Sequence, residues 1–147
     1  MPILLCIAVL VADQLSKLYI QSSMTLGMSV PVVPHVFHIT YILNPGAAFG
    51  ILANQRWFFL LTGFALIAAA VYFYAWIRQQ HAYIRYGTAL LLGGAAGNLF
   101  DRILGSGVVD FLDFRIWPVF NLADIAIVAG VGCIIYAVLF KMKEKRD

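Results

Sequence analysis

Val119-Phe120-Asn121-Leu122-Ala123-Asp124-Ile125-Ala126-Ile127-Val128-Ala129-Gly130-Val131-Gly132-Cys133-Ile134-Ile135-Tyr136-Ala137-Val138-Leu139-Phe140 decides the fold. From Ile125 to Phe140 it has no charged side chain. Together with its polar first turn it is long enough to cross a hydrocarbon core, which takes about 20 residues. The rest of the chain has the same character. Of 147 residues, 63% are hydrophobic and 12% charged, and the mean hydropathy is +0.89. Such values lie outside the range of soluble domains and define a membrane protein.

Three more stretches of similar kind occur, so helices are expected at about 2–21, 57–77, 86–104 and 119–140. The expected fold is an all-α membrane protein with four transmembrane helices, a single domain over residues 1–147 with extracytoplasmic loops at about 22–56 and 102–118. The first span does not read as a cleaved secretory signal, because no Lys or Arg precedes it and Asp13 interrupts its apolar run. With four spans, Arg78, Arg85, Lys141, Lys143, Lys145 and Arg146 share one side, against Arg56, Arg102 and Arg115 on the other. The basic side is expected to be cytoplasmic, giving an N-in/C-in chain. The net charge of +3 then reflects topology. The basic tail reads as a contact with membrane lipids rather than nucleic acid.

In chain order, Asp13 and Lys17 lie four residues apart on one helix face. Their spacing supports mutual neutralisation or a part in a site. Ser16 next to Lys17 faces another direction, which argues against a Ser/Lys hydrolase. Met28 to Leu43 is rich in β-formers, and Pro31 and Pro34 exclude a helix, so an extracytoplasmic strand or hairpin is expected. His35 and His38 lack a third ligand at suitable spacing, so no metal is expected. Asn44-Pro45-Gly46-Ala47-Ala48-Phe49-Gly50 is a turn followed by small residues that let another backbone approach. The second span is free of charge between Arg56 and Arg78 and reads as a lipid-facing scaffold with aromatic ends. The third carries Gly93-x-x-x-Gly97, a spacing for close helix packing. It ends on Asn98, Asp101 and Arg102, either a local Asp101/Arg102 pair or part of a wider network. Cys6 and Cys133 lie inside spans and read as small apolar residues.

Asp110 and Asp124 stand at the outer rim of the membrane. An ionised carboxylate in a bilayer costs about 2.5 to 3.5 kcal/mol by insertion scales, so such groups usually have partners and mark sites. With Asn121 as N-cap, Asp124 is the third residue of the last helix, beside free N–H groups and the positive dipole end, which favours its anion. No such donor array is evident for Asp110. Two carboxylates close together in a low dielectric would share a proton and titrate as a unit, so one could act as base on water and the other as acid.

Five blocks in order resemble those of bacterial lipoprotein signal peptidases, the signal peptidase II family. They are Asp13-Gln14-x-x-Lys17, Asn44-x-Gly46-Ala47-Ala48-Phe49-Gly50, Gly93-Gly94-Ala95-x-Gly97-Asn98-x-x-Asp101-Arg102, Val108-Val109-Asp110-Phe111 and Phe120-Asn121-x-Ala123-Asp124. The resemblance covers the whole chain. It implies a four-helix aspartyl endopeptidase of the bacterial inner membrane with a small extracytoplasmic β-cradle and no cofactor. Such an enzyme releases signal peptides from prolipoproteins on the N-terminal side of a diacylglyceryl-modified Cys. Asp110 and Asp124 match the catalytic dyad, and Asp13, Lys17, Asn44, Gly94, Asn98, Arg102, Asn121 and Ala123 match supporting positions. Gly46, Ala47 and Ala48 are expected to leave room for an extended peptide, and Asp101 joins the polar end of the third span. The stretch joining the two catalytic blocks is a few residues shorter than in other members.

Other chemistry fits less well. Gly-x-Ser-x-Gly, His-Glu-x-x-His and the Gly-x-Gly-Asp of presenilin-like proteases are all missing. A small proton-coupled transporter or channel subunit with an aspartate relay is the rival from another class, but no broken helix or inverted repeat is visible. A membrane scaffold whose acids pair with Lys17, Arg102 and Arg115 is a third. The chain is expected to work as a monomer.

Overall fold

The computed structural model describes residues 2–46, 52, 55–105 and 107–141. Its elements are α1 (Pro2–Ser23), β1 (Ser29–Val33), β2 (Phe37–Asn44), α2 (Arg56–Tyr72), α3 (Tyr74–Ile77), α4 (Ala82–Leu104), β3 (Val108–Asp113) and α5 (Leu122–Tyr136), with a π-helical continuation of α5 over Ala137–Lys141. The fold is mostly helical with one small antiparallel sheet of order β1-β2-β3. Among the described residues two helices meet both the length and the hydropathy of a membrane crossing, Pro2–Ser23 with 22 residues and Leu122–Lys141 with 20. At about 1.5 Å per residue α1 is about 33 Å long, close to the thickness of a hydrocarbon core. The apolar helix Arg56–Tyr72 is shorter, at 17 residues.

Burial runs opposite to that of a soluble protein. The largest fully buried side chains are Lys17, Asn121, Asp13 and Asp110, while Leu4, Leu15, Leu61 and Val128 are among the exposed ones. Polar groups that face the inside of a bundle whose outside is apolar are what a hydrocarbon solvent selects.

The helix ends differ from those expected, and each difference has a local cause. The second span is not continuous: regular helix stops at Tyr72 and resumes as the short α3. The hydrogen bonds Phe73 N–H to Ala69 O and Ile77 N–H to Phe73 O persist at 2.9 Å each, so the break is a distortion in a crowded aromatic run rather than an end. Helix α4 begins four residues earlier than expected, because His81 caps it by accepting from Tyr83 N–H. The last helix begins three residues later, at Leu122. Phe120 instead bridges to Leu112, donating to Leu112 O at 3.1 Å and accepting from Phe111 and Leu112 N–H at 3.0 and 2.8 Å.

The larger correction concerns 102–118, expected as a loop. Its middle, Val108–Asp113, is a strand on β2, with Asp110 opposite Ile42 and Val108 opposite Asn44. The expected hairpin at 28–43 is present as β1 and β2, with a left-handed His35 (φ 63) in its turn.

Helix α4 is the hub and packs against α1, α2 and α5. Its glycines set the distances. A Cβ on Gly87 would meet Gly130 O at 2.7 Å, and one on Gly130 would meet Leu91 N at 2.7 Å, so α4 and α5 touch backbone to backbone. Gly93 and Gly97 face α1, where added Cβ atoms would strike Cys6 O and the Asp13 carboxylate. Helix α2 has a lighter footing, resting mainly on α4 where Gly63 meets Leu99.

Candidate active site

Asp110 and Asp124 reach the same cavity, a space of about 490 Å³ also lined by Asn44, Asn98, Arg102 and Trp117. Strand β3 carries Asp110, which is 2% exposed, and the first turn of α5 carries Asp124. Asn121 joins them. Its backbone N–H donates to Asp124 Oδ2 at 3.2 Å, its Oδ1 accepts from Asp124 N–H at 2.9 Å, and its Nδ2 donates to Asp110 Oδ1 at 2.6 Å. The expected N-cap is therefore a capping box, with the Asn amino group left over for Asp110.

Two more asparagines follow the same rule. An amide shows its N and O by the partners of each. Asn44 Oδ1 accepts from Gly46 N–H at 3.0 Å, which turns its Nδ2 toward Asp110 Oδ2 at 2.9 Å. Asn98 Oδ1 accepts from Lys17 Nζ at 2.9 Å, which turns its Nδ2 toward Asp124 Oδ1 at 2.8 Å. Every oxygen of the two carboxylates thus accepts from a group whose orientation is fixed elsewhere. Burial pushes Asp110 up to about 7, with the Asp124 charge adding to the rise, while the hydrogen bonds from Asn44 and Asn121 and the charge of Lys17 pull the other way.

Behind the pair lies an ion web. Lys17 Nζ contacts Asp13 Oδ2 at 2.7 Å, Asp101 Oδ2 at 2.8 Å and Asn98 Oδ1 at 2.9 Å, one acceptor for each of its three hydrogens. Each acid holds one further backbone group. Asp13 Oδ1 accepts from Ala123 N–H at 3.0 Å and Asp101 Oδ2 from Val109 N–H at 3.2 Å. Ala123 directly precedes Asp124 and Val109 directly precedes Asp110, so one ammonium ties together the two backbones that carry the pair. Gly94 lets α4 close on this point, since a Cβ there would strike Ala123 O.

Asp101 therefore pairs with Lys17, not with Arg102 as the local alternative had it. Arg102 donates to Gly46 O at 2.9 Å and Asn98 O at 3.3 Å, and its guanidinium lies 4.3 Å from the Phe59 ring centre. It pins the Asn44–Gly46 turn to α4. Ala48 lies outside the described residues. The sequence reading has Gln14 in its first block but gives it no role; its Nε2 bridges Asp101 Oδ1 at 2.9 Å and Gly97 O at 3.2 Å. Its place beside Asp13 was the available signal.

Asp113, three residues along β3 and so on its opposite face, is separate from the pair. It accepts from Thr40 Oγ1 at 2.7 Å and from Arg115 N–H and Nη1 at 2.8 and 3.0 Å. Burial raises it, but these bonds together hold it below the usual carboxylate range. His38 Nδ1 meets Ser29 Oγ at 3.1 Å. Among the described residues no three His, Cys, Asp or Glu side chains are grouped to hold a metal ion.

This helical bundle, with carboxylates recessed beside a small sheet, has the fold of solved bacterial membrane enzymes. It superposes on a bacterial membrane enzyme solved by the in meso method at 2.3 Å resolution with a TM-score of 0.90, at 38% identity, covering 98% of this chain and 90% of that one. The family model for signal peptidase (SPase) II matches residues 5–140, and the chain belongs to that peptidase family. The lipoprotein signal peptidase of Pelotomaculum thermopropionicum is 50% identical over 131 residues, covering 89% of this chain and 86% of that protein. That of Moorella thermoacetica is 46% identical over 147 residues, covering 97% and 95%. With a peptidase family established, the transport and scaffold alternatives fall away.

Proposed function

We propose that this peptidase removes signal peptides from prolipoproteins as an intramembrane aspartyl endopeptidase, cutting on the N-terminal side of a diacylglyceryl-modified Cys with Asp110 and Asp124 as its dyad. The observation that carries the assignment is the Asn121 bridge, which fixes the buried Asp110 and the half-buried Asp124 at one cavity. In this reading Asp124 takes a proton from water as the water oxygen attacks the scissile carbonyl carbon. Asp110 gives its proton to the carbonyl oxygen, producing a gem-diol. Return of that proton to Asp110 and transfer of the other from Asp124 to the departing amine then break the C–N bond. Asp13, Lys17, Asn98, Asp101, Asn121 and Ala123 position the pair from behind. Asn44, Gly46 and Arg102 shape the entrance where the peptide passes.

The setting belongs to the proposal too. Residues 1–147 form one domain whose four helical segments cross the inner membrane N-in/C-in, with the sheet and the dyad on the extracytoplasmic side and a monomer as the working unit. The basic residues on the opposite side support this orientation.

The test is a comparison of precursors in the same detergent micelles. Each buried methylene contributes about 0.8 kcal/mol and about 1.4 kcal/mol is tenfold, so recognition of even a few methylenes makes the lipidated precursor more than about tenfold better in kcat/KM. Equal rates for precursors with and without the diacylglyceryl group would return the protein to a general membrane protease.

A pH profile checks the proton assignment. Since Asp110 is raised to about 7, its protonated form persists near neutrality, and cleavage should fall as pH rises through that value. Asn44 hydrogen-bonds the charged form, so Asn44→Ala should move this alkaline limb to higher pH. A limb that stays in place in Asn44→Ala would remove Asp110 as the acid.

A further inference from the structure

A second cavity, of about 440 Å³, lies between α1 and α2 with α4 as its floor. It shares no lining residue with the cavity of the carboxylates. It sits toward the other end of the bundle, bordered by the start of α1, the end of α2 and the first half of α4. Most of its wall is aliphatic, from Ile3 and Ile7 on α1 to Ile67 and Val71 on α2 and Leu92 on α4. Two arginines, Arg78 and Arg85, complete the lining.

Arg85 is the anomaly. Its Nε is buried and has no hydrogen-bond partner, the one such side-chain atom among the described residues. Among the described residues neither it nor Arg78 has an ion-pair partner. Arg78 rests against the Tyr74 ring, 5.8 Å from its centre. A buried unmet donor is costly, and a guanidinium is shaped to meet two oxygens of one phosphate. A long aliphatic cleft ending in two unpaired cations therefore has the polarity of a phospholipid, acyl chains inward and phosphate at the arginines. The light footing of α2 leaves this cleft open sideways to the bilayer. Basic pockets between helices on the cytoplasmic side commonly hold anionic headgroups, and the two arginines fall on that side in the proposed orientation.

We propose that the α1/α2 cleft is a binding site for one anionic phospholipid, whose phosphate is held by Arg85 and Arg78. Delipidated full-length protein in a nonionic detergent is mixed with phosphatidylglycerol, with phosphatidylcholine or with inorganic phosphate. Native mass spectrometry and the thermal midpoint are read. Phosphatidylglycerol should form a one-to-one adduct, raise the midpoint and bind about tenfold more tightly than phosphatidylcholine, as two basic side chains beside a net negative headgroup imply. Inorganic phosphate, lacking acyl chains, should do neither.

Arg85→Gln should abolish the preference for phosphatidylglycerol, and Ala70→Phe, which fills the cleft from α2 while keeping both arginines, should abolish the adduct. Both variants should cleave precursor in detergent at the parent rate, which separates the lipid site from the dyad. Equal binding of the two lipids, a midpoint shift with phosphate alone, or an adduct that survives Ala70→Phe would overturn the proposal.

Discussion

Asp110→Asn and Asp124→Asn should each lower the rate of cleavage of a lipidated precursor by about a thousandfold, within the range that a positioned acid or base contributes. Both replacements are nearly isosteric, so insertion and helical content should stay at the parent level. Each does exchange one acceptor for an NH₂. At Asp110 that NH₂ must face Asn44 or Asn121, both of which present donors, so a small loss of stability is expected beside the large loss of rate. Because the proton moves between the two groups, the double variant should be little worse than either single one. Losses that multiply would show two independent residues instead of a pair. Asp113→Asn is the internal control. It alters a carboxylate of the same strand that is bonded to Thr40 and Arg115 on the other face, and it should cleave at close to the parent rate.

Lys17→Met should be the most damaging change away from the pair. Lys17 is 2% exposed and its loss leaves Asp13 and Asp101 as two buried acids without their cation, a situation that costs about 3 to 5 kcal/mol. The thermal midpoint should fall steeply. Converting Asp13 and Asp101 to Asn in the same chain should recover much of the midpoint, since the charges are then gone together. Cleavage should recover less, because Ala123 and Val109 would no longer be drawn to a common centre. A Lys17→Met protein that melts like its parent would show that the web is not under electrostatic load.

The difference between these two variants follows what could be read along the chain. The capping box at Asn121 and Asp124 is local: an Asn three residues before an acid, at the head of an apolar run, announces it. Asp13 and Lys17 are local in the same way. The environment of Asp110 is not. Its partner Asn44 is 66 residues away, and β3 has no alternation to betray a strand because nearly every residue in it is buried. A buried strand with acids in it reads like a loop until β2 is laid beside it. Motif order supplied the identity of Asn44, Asn98 and Arg102, but their roles as amides turned by Gly46 or Lys17, or as a cation on Phe59, come from packing between distant segments. The start of the last helix was misplaced for the same reason, since Phe120 is claimed by Leu112 before the helix can use it.

The footing of α2 separates two kinds of stiffness. Helices α1, α4 and α5 are cross-linked by the ion web and by backbone contact at Gly87 and Gly130, whereas α2 rests mainly on α4 alone, through Gly63 on Leu99, Phe59 on Arg102 and Arg56 on Ile103 O. Segments with few buried contacts open locally at a fraction of the global free energy. The amides of α2 should therefore exchange with deuterium well before those of α4. On the proposed function, the wall on one side of the carboxylates should then yield to signal peptides of different girth while the distance between the two acids stays fixed. Variation along α2 can then alter which chains are admitted without altering the chemistry done to them.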